Sequence, residues 1–105
     1  GRQMRDYLHV QDVADGLVGV LDSAITGAIN VSSGQATTIR DIVLGIGRQI
    51  GRPELIQLGA IPARANDVSL VLGDNTRLVA ELGWEPRHDL ESGLRHTLDW
   101  WRSQQ

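Results

Sequence analysis

Two residue types that often carry protein chemistry are absent from this chain of 105 residues. There is no cysteine, which excludes disulfide bonds, thiol nucleophiles and thiolate metal sites and is typical of a reducing cytoplasm, the location we expect. There is no lysine either, so Schiff-base chemistry and other lysine-dependent reactions are excluded. All 10 basic residues are therefore arginine, whose planar guanidinium group binds phosphates through paired hydrogen bonds.

Clusters of one charge and long apolar runs are also missing. The formal net charge is −3 and acidic and basic residues are interleaved without a basic cluster, whereas a nucleic-acid-binding protein usually has a basic patch. This balance disfavours a helix-turn-helix DNA-binding unit over residues 38–58, and we expect no nucleic-acid partner. No apolar run is long enough to cross a bilayer, and no secretory signal is present, so no membrane partner is expected.

The apolar pattern predicts a single α/β domain over residues 1–105. Strands are expected at residues 4–10 and 28–31, the second buried and parallel to its neighbours, and weaker candidates lie at 54–58 and 68–72. Four helices are expected, each beginning at a capping residue: Asp12, Thr37 or Thr38, Asp74 or Asn75, and Asp89. Gly51 and Gly83 are expected to end the second and third of these helices, and residues 59–67 are expected to form a loop. Such short, mainly parallel strands make an incomplete sheet, so we expect the chain to lack something that completes it.

The last predicted helix has one apolar stripe, formed by Leu90, Leu94, Leu98 and Trp101. We expect this stripe to face the core. Trp84 is predicted to join Trp101 there, and Trp100 is predicted to lie half exposed at the end of the helix. A stacking platform for a nucleic-acid base is the less favoured role for these three tryptophans.

The polar residues outside the predicted caps have ordinary structural explanations. The three histidines, His9, His88 and His96, have no metal-binding spacing, so we predict no metal site, and His9 is expected to hydrogen-bond within the fold. Asp15 is expected on a polar helix face or as an anchor for the first strand, and Ser32-Ser33-Gly34 as a plain turn. Arg5 alone would be assigned to a structural salt bridge. Arg64, on a predicted loop, favours a binding role, whereas Asp67 is equally explained by turn chemistry.

Four segments nevertheless occur together in a characteristic order. They are residues 5–15 (RDYLHVQDVAD), 29–34 (INVSSG), 64–67 (RAND) and 82–86 (LGWEP). In this combination the chain resembles, over nearly its whole length, the C-terminal part of an extended short-chain dehydrogenase/reductase, the family of nucleotide-sugar epimerases and dehydratases. The resemblance implies a partial Rossmann-like α/β fold. It also implies a parent enzyme that binds NAD or NADP in a preceding domain and a nucleotide sugar in this part.

The resemblance assigns roles to four residues of this chain. Arg5 matches an arginine that lies against the nucleotide diphosphate, and Arg64 matches a second arginine that holds the phosphates from the other side. Asp67 matches an acidic residue that accepts hydrogen bonds from the ribose hydroxyl groups, and Tyr7 is expected to line the nucleotide pocket. The family often has an acidic residue and a glycine where this chain has Ala65-Asn66.

The catalytic parts of that family are not found in this chain. There is no Gly-x-x-Gly-x-x-Gly loop, no lysine for a Tyr-x-x-x-Lys pair, and Tyr7 is the only tyrosine. We therefore expect a substrate-binding portion without its NAD-binding domain, which binds no cofactor and is not catalytic on its own. A homo-oligomer is expected, and the alternative function is self-association, as a dimer or a domain-swapped pair, through uncovered edges and apolar faces.

Overall fold

The computed structural model describes all residues from Gly1 to Gln105. Two short strands and four helices follow one another in the order β1 (Met4–Asp6), α1 (Val10–Leu21), β2 (Ala36–Thr38), α2 (Ile39–Gln49), α3 (Thr76–Leu82) and α4 (Leu90–Ser103), with a 3₁₀ turn at Pro53–Leu55. The α/β class is confirmed. The turn occupies part of residues 54–58, so the strand predicted there is wrong, and the proline that begins it explains the difference. None of the four helices combines the length and apolarity that crossing a bilayer requires.

Strand β1 is the centre of a very small sheet. It pairs antiparallel with β2, and on its other edge Met4 forms a single parallel bridge with Leu70. The predicted incomplete sheet and the extended conformation near residues 68–72 are therefore confirmed. The prediction of mainly parallel strands is correct only for the Leu70 bridge.

Residues 28–31 were expected to form a buried parallel strand, and they do not. No neighbouring strand is present to pair with their backbone. Side chains hold the segment instead: the Arg77 Nη1 donates to the carbonyl oxygens of Thr26 and Ala28 at 3.0 and 2.9 Å. Asn30 Nδ2 donates to the Asp74 carbonyl oxygen at 3.1 Å. A short apolar run is thus fixed in place without a β-ladder.

The carboxylate of Asp6, at the end of β1, joins distant segments. Its Oδ1 accepts hydrogen bonds from the amide and the hydroxyl of Ser33, at 2.8 and 2.7 Å. Its Oδ2 accepts from the amides of Gly34 and Gly73, at 3.0 and 3.3 Å. Because the acceptor is ionised, each of these bonds is stronger than one between neutral groups. The Ser32-Ser33-Gly34 segment therefore has a structural role, as predicted, but it closes on Asp6 and leads into β2 instead of joining a strand directly to a helix.

Helix α1 begins earlier than predicted, and Asp12 is not its cap. The cap is His9, whose Nδ1 accepts a hydrogen bond from the amide of Gln11 at 3.0 Å. Asp12 is fully buried and accepts from the amides of Arg87 and His88, at 2.7 and 3.2 Å. Asp15 pairs with the Arg87 guanidinium at 2.8 Å, so it anchors this return segment rather than the first strand.

The other helix ends follow local capping chemistry. Thr38 and Asp89 cap α2 and α4 by accepting from the amides of Asp41 and Ser92. Asp74 accepts from the amide and hydroxyl of Thr76 at the start of α3. Gly83 ends α3 with a φ of 65°, a conformation that costs glycine little. These predictions are confirmed.

Little of the chain is buried. Only 8 of 105 residues are buried, and Leu78 and Trp84 are the only large apolar side chains among them. Trp101, predicted in the core, is 60% exposed, and Leu90 is 38% exposed. Helix α2 meets this side of α4 at Leu94, which lies against Gly45, and the two ends of the stripe stay open. The radius of gyration is 16.1 Å, against about 13 Å for a compact domain of this length, and the molecule is only 18 Å thick.

We predict that Asp6→Ala destabilises the fold more than removal of any exposed carboxylate. The substitution leaves three backbone amides without their acceptor, which should lower the free energy of unfolding by about 2–4 kcal/mol. Urea denaturation followed by circular dichroism measures this change. Asp99→Ala, at an exposed position of α4 with no partner, is the control and should change stability by less than about 0.5 kcal/mol. Equal midpoints for the two variants would contradict the role assigned to Asp6.

Candidate functional site

The predicted site residues lie in two places. Arg5, on β1, extends toward residues 67 and 68, and its Nη2 donates to Asp67 Oδ1 at 3.0 Å. Its Nη1 donates to the carbonyl oxygens of Met4 and Val68, both at 2.8 Å. The structural salt bridge that Arg5 would be assigned on its own is therefore present.

Arg64 lies in the same turn as this pair. The amide of Asp67 donates to the Arg64 carbonyl oxygen at 3.2 Å, so one exposed turn contains both residues. The Arg64 guanidinium makes no ion pair and no hydrogen bond within the chain. The turn thus presents one fully free guanidinium beside an Arg5–Asp67 pair, an arrangement whose free donors suit a phosphate oxygen.

Arg5 and Asp67 keep unused hydrogen-bonding groups after pairing. Arg5 has its Nε–H and one Nη2–H left, and Asp67 has its Oδ2 atom left. Both side chains are partly exposed, at 25% and 31%. A ligand with phosphate and hydroxyl groups can therefore be bound without breaking the Arg5–Asp67 bond.

Tyr7 is separate from these three residues. It is 37% exposed and lines a cavity of about 330 Å³ that contains none of the other predicted site residues. The cavity lies between the β1–α1 turn, the segment before β2 and the start of α4. Its polar lining includes His9, Ser33, Gln35, His88 and Thr97.

Three histidines lie beside this cavity, and the sequence spacing did not group them. The ring centroids of His9, His88 and His96 are 4.3, 4.8 and 5.3 Å apart in pairs. His9 Nε2 is 2.9 Å from His96 Nδ1, so the predicted internal hydrogen bonding of His9 is confirmed. Spacing in the sequence did not reveal the cluster because His9 is far along the chain from His88 and His96. The sole signal was that His9 and His88 each lie near the predicted start of a helix.

The cluster changes the acidity of its most enclosed member. Burial, and then the neighbouring rings of His88 and His96, lower the pKa of His9 below the ordinary histidine value of 6.5, although the Asp12 carboxylate acts in the opposite direction. Neutral His9 accepts from Gln11 at Nδ1, so its single proton lies on Nε2 and is donated to His96.

The residues of this chain do not fit the pyrophosphate of a dinucleotide cofactor. That group is usually bound by the free amides of a helix N-terminus that follows a Gly-rich turn. Here no Gly-x-x-Gly-x-x-Gly turn precedes a helix, and the caps His9, Thr38 and Asp89 each occupy one first-turn amide of α1, α2 and α4.

Relatives and solved structures identify the fold. The chain is 31% identical over 104 residues to the UDP-glucose 4-epimerase of Rhizobium meliloti (strain 1021), covering 95% of this chain and 31% of that protein. It superposes on RMD from Pseudomonas aeruginosa, solved with NADPH, with a TM-score of 0.82 and 29% identity over 99% of this chain and 34% of the other.

A second structure, the UDP-glucose-4-epimerase from Stenotrophomonas maltophila with bound NAD and formylated UDP-arabinopyranose, gives a TM-score of 0.79 and 30% identity. The match covers 97% of this chain and 31% of that enzyme. This chain thus spans about a third of the length of the relatives it matches. The model of the family described as GDP-mannose 4,6 dehydratase matches residues 1–97, so the chain belongs to this family of nucleotide-sugar epimerases and dehydratases.

Proposed function

We propose that this chain is the nucleotide-sugar-binding portion of an NAD(P)-dependent sugar epimerase, dehydratase or reductase, and that it is not catalytic on its own. The observation that carries the proposal is the exposed turn in which Arg64 lies free beside the Arg5–Asp67 pair. The structural relative that contains bound NAD and a UDP-sugar supports it, because that enzyme includes a region of the same fold.

The two arginines have different tasks in this proposal. Arg5 positions the turn, because most of its donors are used on Met4, Val68 and Asp67. Arg64 has all its donors available, and it is the principal ligand of the diphosphate. Asp67 accepts from the ribose hydroxyl groups through its free Oδ2.

Tyr7 has a less direct part. It lines the cavity beside the histidines rather than the arginine turn. In our proposal Tyr7 borders a part of the nucleotide sugar that lies away from the diphosphate. Cofactor binding and hydride transfer belong to residues outside this chain, since neither a Gly-rich loop nor a Tyr-x-x-x-Lys pair occurs here.

We predict that the chain binds a nucleotide sugar and that Arg64→Ala weakens this binding about tenfold or more, because a hydrogen bond to a charged group contributes about 1.5–3 kcal/mol. Isothermal titration with UDP-, GDP-, CDP- and dTDP-sugars measures the affinity. Arg64→Ala should leave the urea midpoint unchanged. Arg5→Ala should weaken binding and also lower the midpoint, since Arg5 holds the turn.

Arg102→Ala is the matched control, because Arg102 is an exposed arginine at the far end of α4. It should change neither affinity nor stability. The proposal is contradicted if none of the four nucleotide sugars produces heat with the folded wild-type chain. It is equally contradicted if Arg64→Ala and Arg102→Ala bind as the wild type does.

Self-association is a second candidate function, and the surface of α1 favours it. Four large apolar side chains of this helix are exposed: Val10 (76%), Leu17 (54%), Val18 (55%) and Leu21 (83%). Their spacing places them on one stripe of the helix. Since the molecule is thin and has little core, pairing of two such stripes would remove apolar surface from water.

We predict that the wild-type chain sediments as a dimer at micromolar concentration and that Leu21→Glu shifts it to a monomer. A charge within a dimer contact formed by this stripe would be buried without a partner, which is strongly unfavourable. Sedimentation velocity measures the change. Ile61→Glu, at a loop position that is 87% exposed, is the control and should leave the dimer intact. A monomeric wild-type chain at high concentration would rule out this function.

A further inference from the structure

The three histidines form a compact group of nitrogen atoms drawn from both ends of the chain. One potential ligand atom from each of His9, His88 and His96 lies within 4.8 Å of the other two. His9 and His88 are half-buried and His96 is exposed. These are all the histidines in the protein, and no cysteine competes with them for a soft metal ion.

The fold holds this group from several directions. His9 is the N-cap of α1, and Asp12 in the first turn of that helix accepts a hydrogen bond from the backbone amide of His88 at 3.2 Å. Helix α4 packs against this group at Gly93, which is buried next to the side chains of His9 and His88. The buried Asp12 carboxylate therefore places His88 against His9, while α4 presents His96 from its second turn.

We propose that His9, His88 and His96 form a binding site for a divalent transition-metal ion with a preference for imidazole ligands, such as Zn²⁺. At Zn–N distances of about 2.0–2.1 Å, tetrahedral ligand nitrogens lie about 3.3 Å apart. The 2.9 Å between His9 Nε2 and His96 Nδ1 therefore needs only a small opening of that pair. Three neutral imidazoles with one remaining position are a common zinc ligand set.

The surroundings of His88 match those of a metal ligand. Its Nδ1 is 3.0 Å from Ser92 Oγ, which fixes the ring and leaves Nε2 to bind the ion. Hydrogen bonds of this kind orient metal-bound histidines in known sites. His96 Nδ1, which already lies 2.9 Å from His9 Nε2, is the third ligand atom.

The fourth coordination position would face the cavity. His9 and His88 both line that cavity of about 330 Å³, together with Tyr7 and Thr97. Water or an anionic oxygen of a small ligand can occupy this position. The site would therefore be open rather than closed by a fourth protein ligand.

Metal binding through His9 Nε2 has a distinctive local consequence. In the metal-free chain His9 Nδ1 accepts the Gln11 amide, and Nε2 has the proton. When neutral His9 binds the ion through Nε2, its proton moves to Nδ1, which can then no longer accept the hydrogen bond from the Gln11 amide. The ion thus replaces one helix-cap bond with a link between α1 and α4.

The test is isothermal titration of the full chain with ZnCl₂, together with the visible spectrum of the Co²⁺ form. We expect one ion per chain, an intense cobalt spectrum of four-coordinate type, and a shift of the Gln11 amide resonance on Zn²⁺ addition. His96→Ala should weaken binding by more than the roughly 10–100-fold typical of losing an outer hydrogen-bond partner. His9→Asn retains a side chain that caps helices well, so it should remain folded and lose the ion.

Arg95→Ala, next to His96 on the exposed part of α4, is the matched control and should bind Zn²⁺ as the wild type does. The proposal is overturned if Zn²⁺ binds without saturation, or if His96→Ala and His9→Asn retain wild-type affinity, since carboxylates would then be the ligands. An octahedral cobalt spectrum, or a Gln11 amide that does not respond, would also overturn it. These outcomes are independent of nucleotide-sugar binding, because Arg64→Ala should leave Zn²⁺ affinity unchanged.

Discussion

The Asp6 carboxylate substitutes for much of the backbone pairing that a larger sheet would provide. Strand β1 has only three residues, and its ladder with β2 is correspondingly short. At the end of this strand, the Asp6 carboxylate accepts hydrogen bonds from the amides of Ser33, Gly34 and Gly73, which lie 27 to 67 residues away along the chain. One ionised group therefore fixes the positions of two return segments. Without it, the Ser33-Gly34 segment would lose its side-chain link to β1, and residues 67–71 would be held to β1 by the Met4 bridge and the Arg5 side chain alone.

Asp12 repeats this arrangement one turn into α1. Its carboxylate accepts hydrogen bonds from the amides of Arg87 and His88. The backbone carbonyl oxygen of Asp12 accepts a further hydrogen bond from the Trp84 indole N–H at 3.3 Å. A fully buried carboxylate is unfavourable unless its oxygen atoms are hydrogen-bonded, and both are. The β1–α1 segment thus contributes two carboxylates that organise the rest of the chain, and the histidine cluster lies between the elements that they join.

Local chemistry explains which parts of the fold could be predicted. The caps Thr38 and Asp89, the stop at Gly83 and the Ser-Ser-Gly turn depend on residues within a few positions of each other, and all were identified from the sequence. Long-range effects explain the failures. Residues 28–31 have strand composition but no neighbouring strand, and the Asp12 carboxylate binds amides 75 and 76 positions away. Trp101 fits an inward stripe, yet it contacts the neighbouring Trp100 ring and stays 60% exposed.

The candidate site shows the same division. The family resemblance predicted a site that contains Arg5, Arg64 and Asp67, and the structure brings Arg5 and Asp67 into contact within the turn of Arg64. The unequal use of the two guanidinium groups was not predictable, because it depends on where the carbonyl oxygens of Met4 and Val68 lie. The histidine cluster required the contact between α1 and α4, which no spacing along the chain encodes.

The small thickness of the molecule has a consequence for its dynamics. Because the molecule is only 18 Å thick, its backbone amides lie close to solvent. Hydrogen exchange can therefore proceed by the opening of single turns rather than by unfolding of the whole chain. Slow exchange would then be concentrated at a few amides, those of residues 33, 34, 73, 87 and 88, because they donate to the carboxylates of Asp6 and Asp12. The segments most protected from exchange would therefore be those bound to the carboxylates of Asp6 and Asp12, rather than those packed in an apolar core.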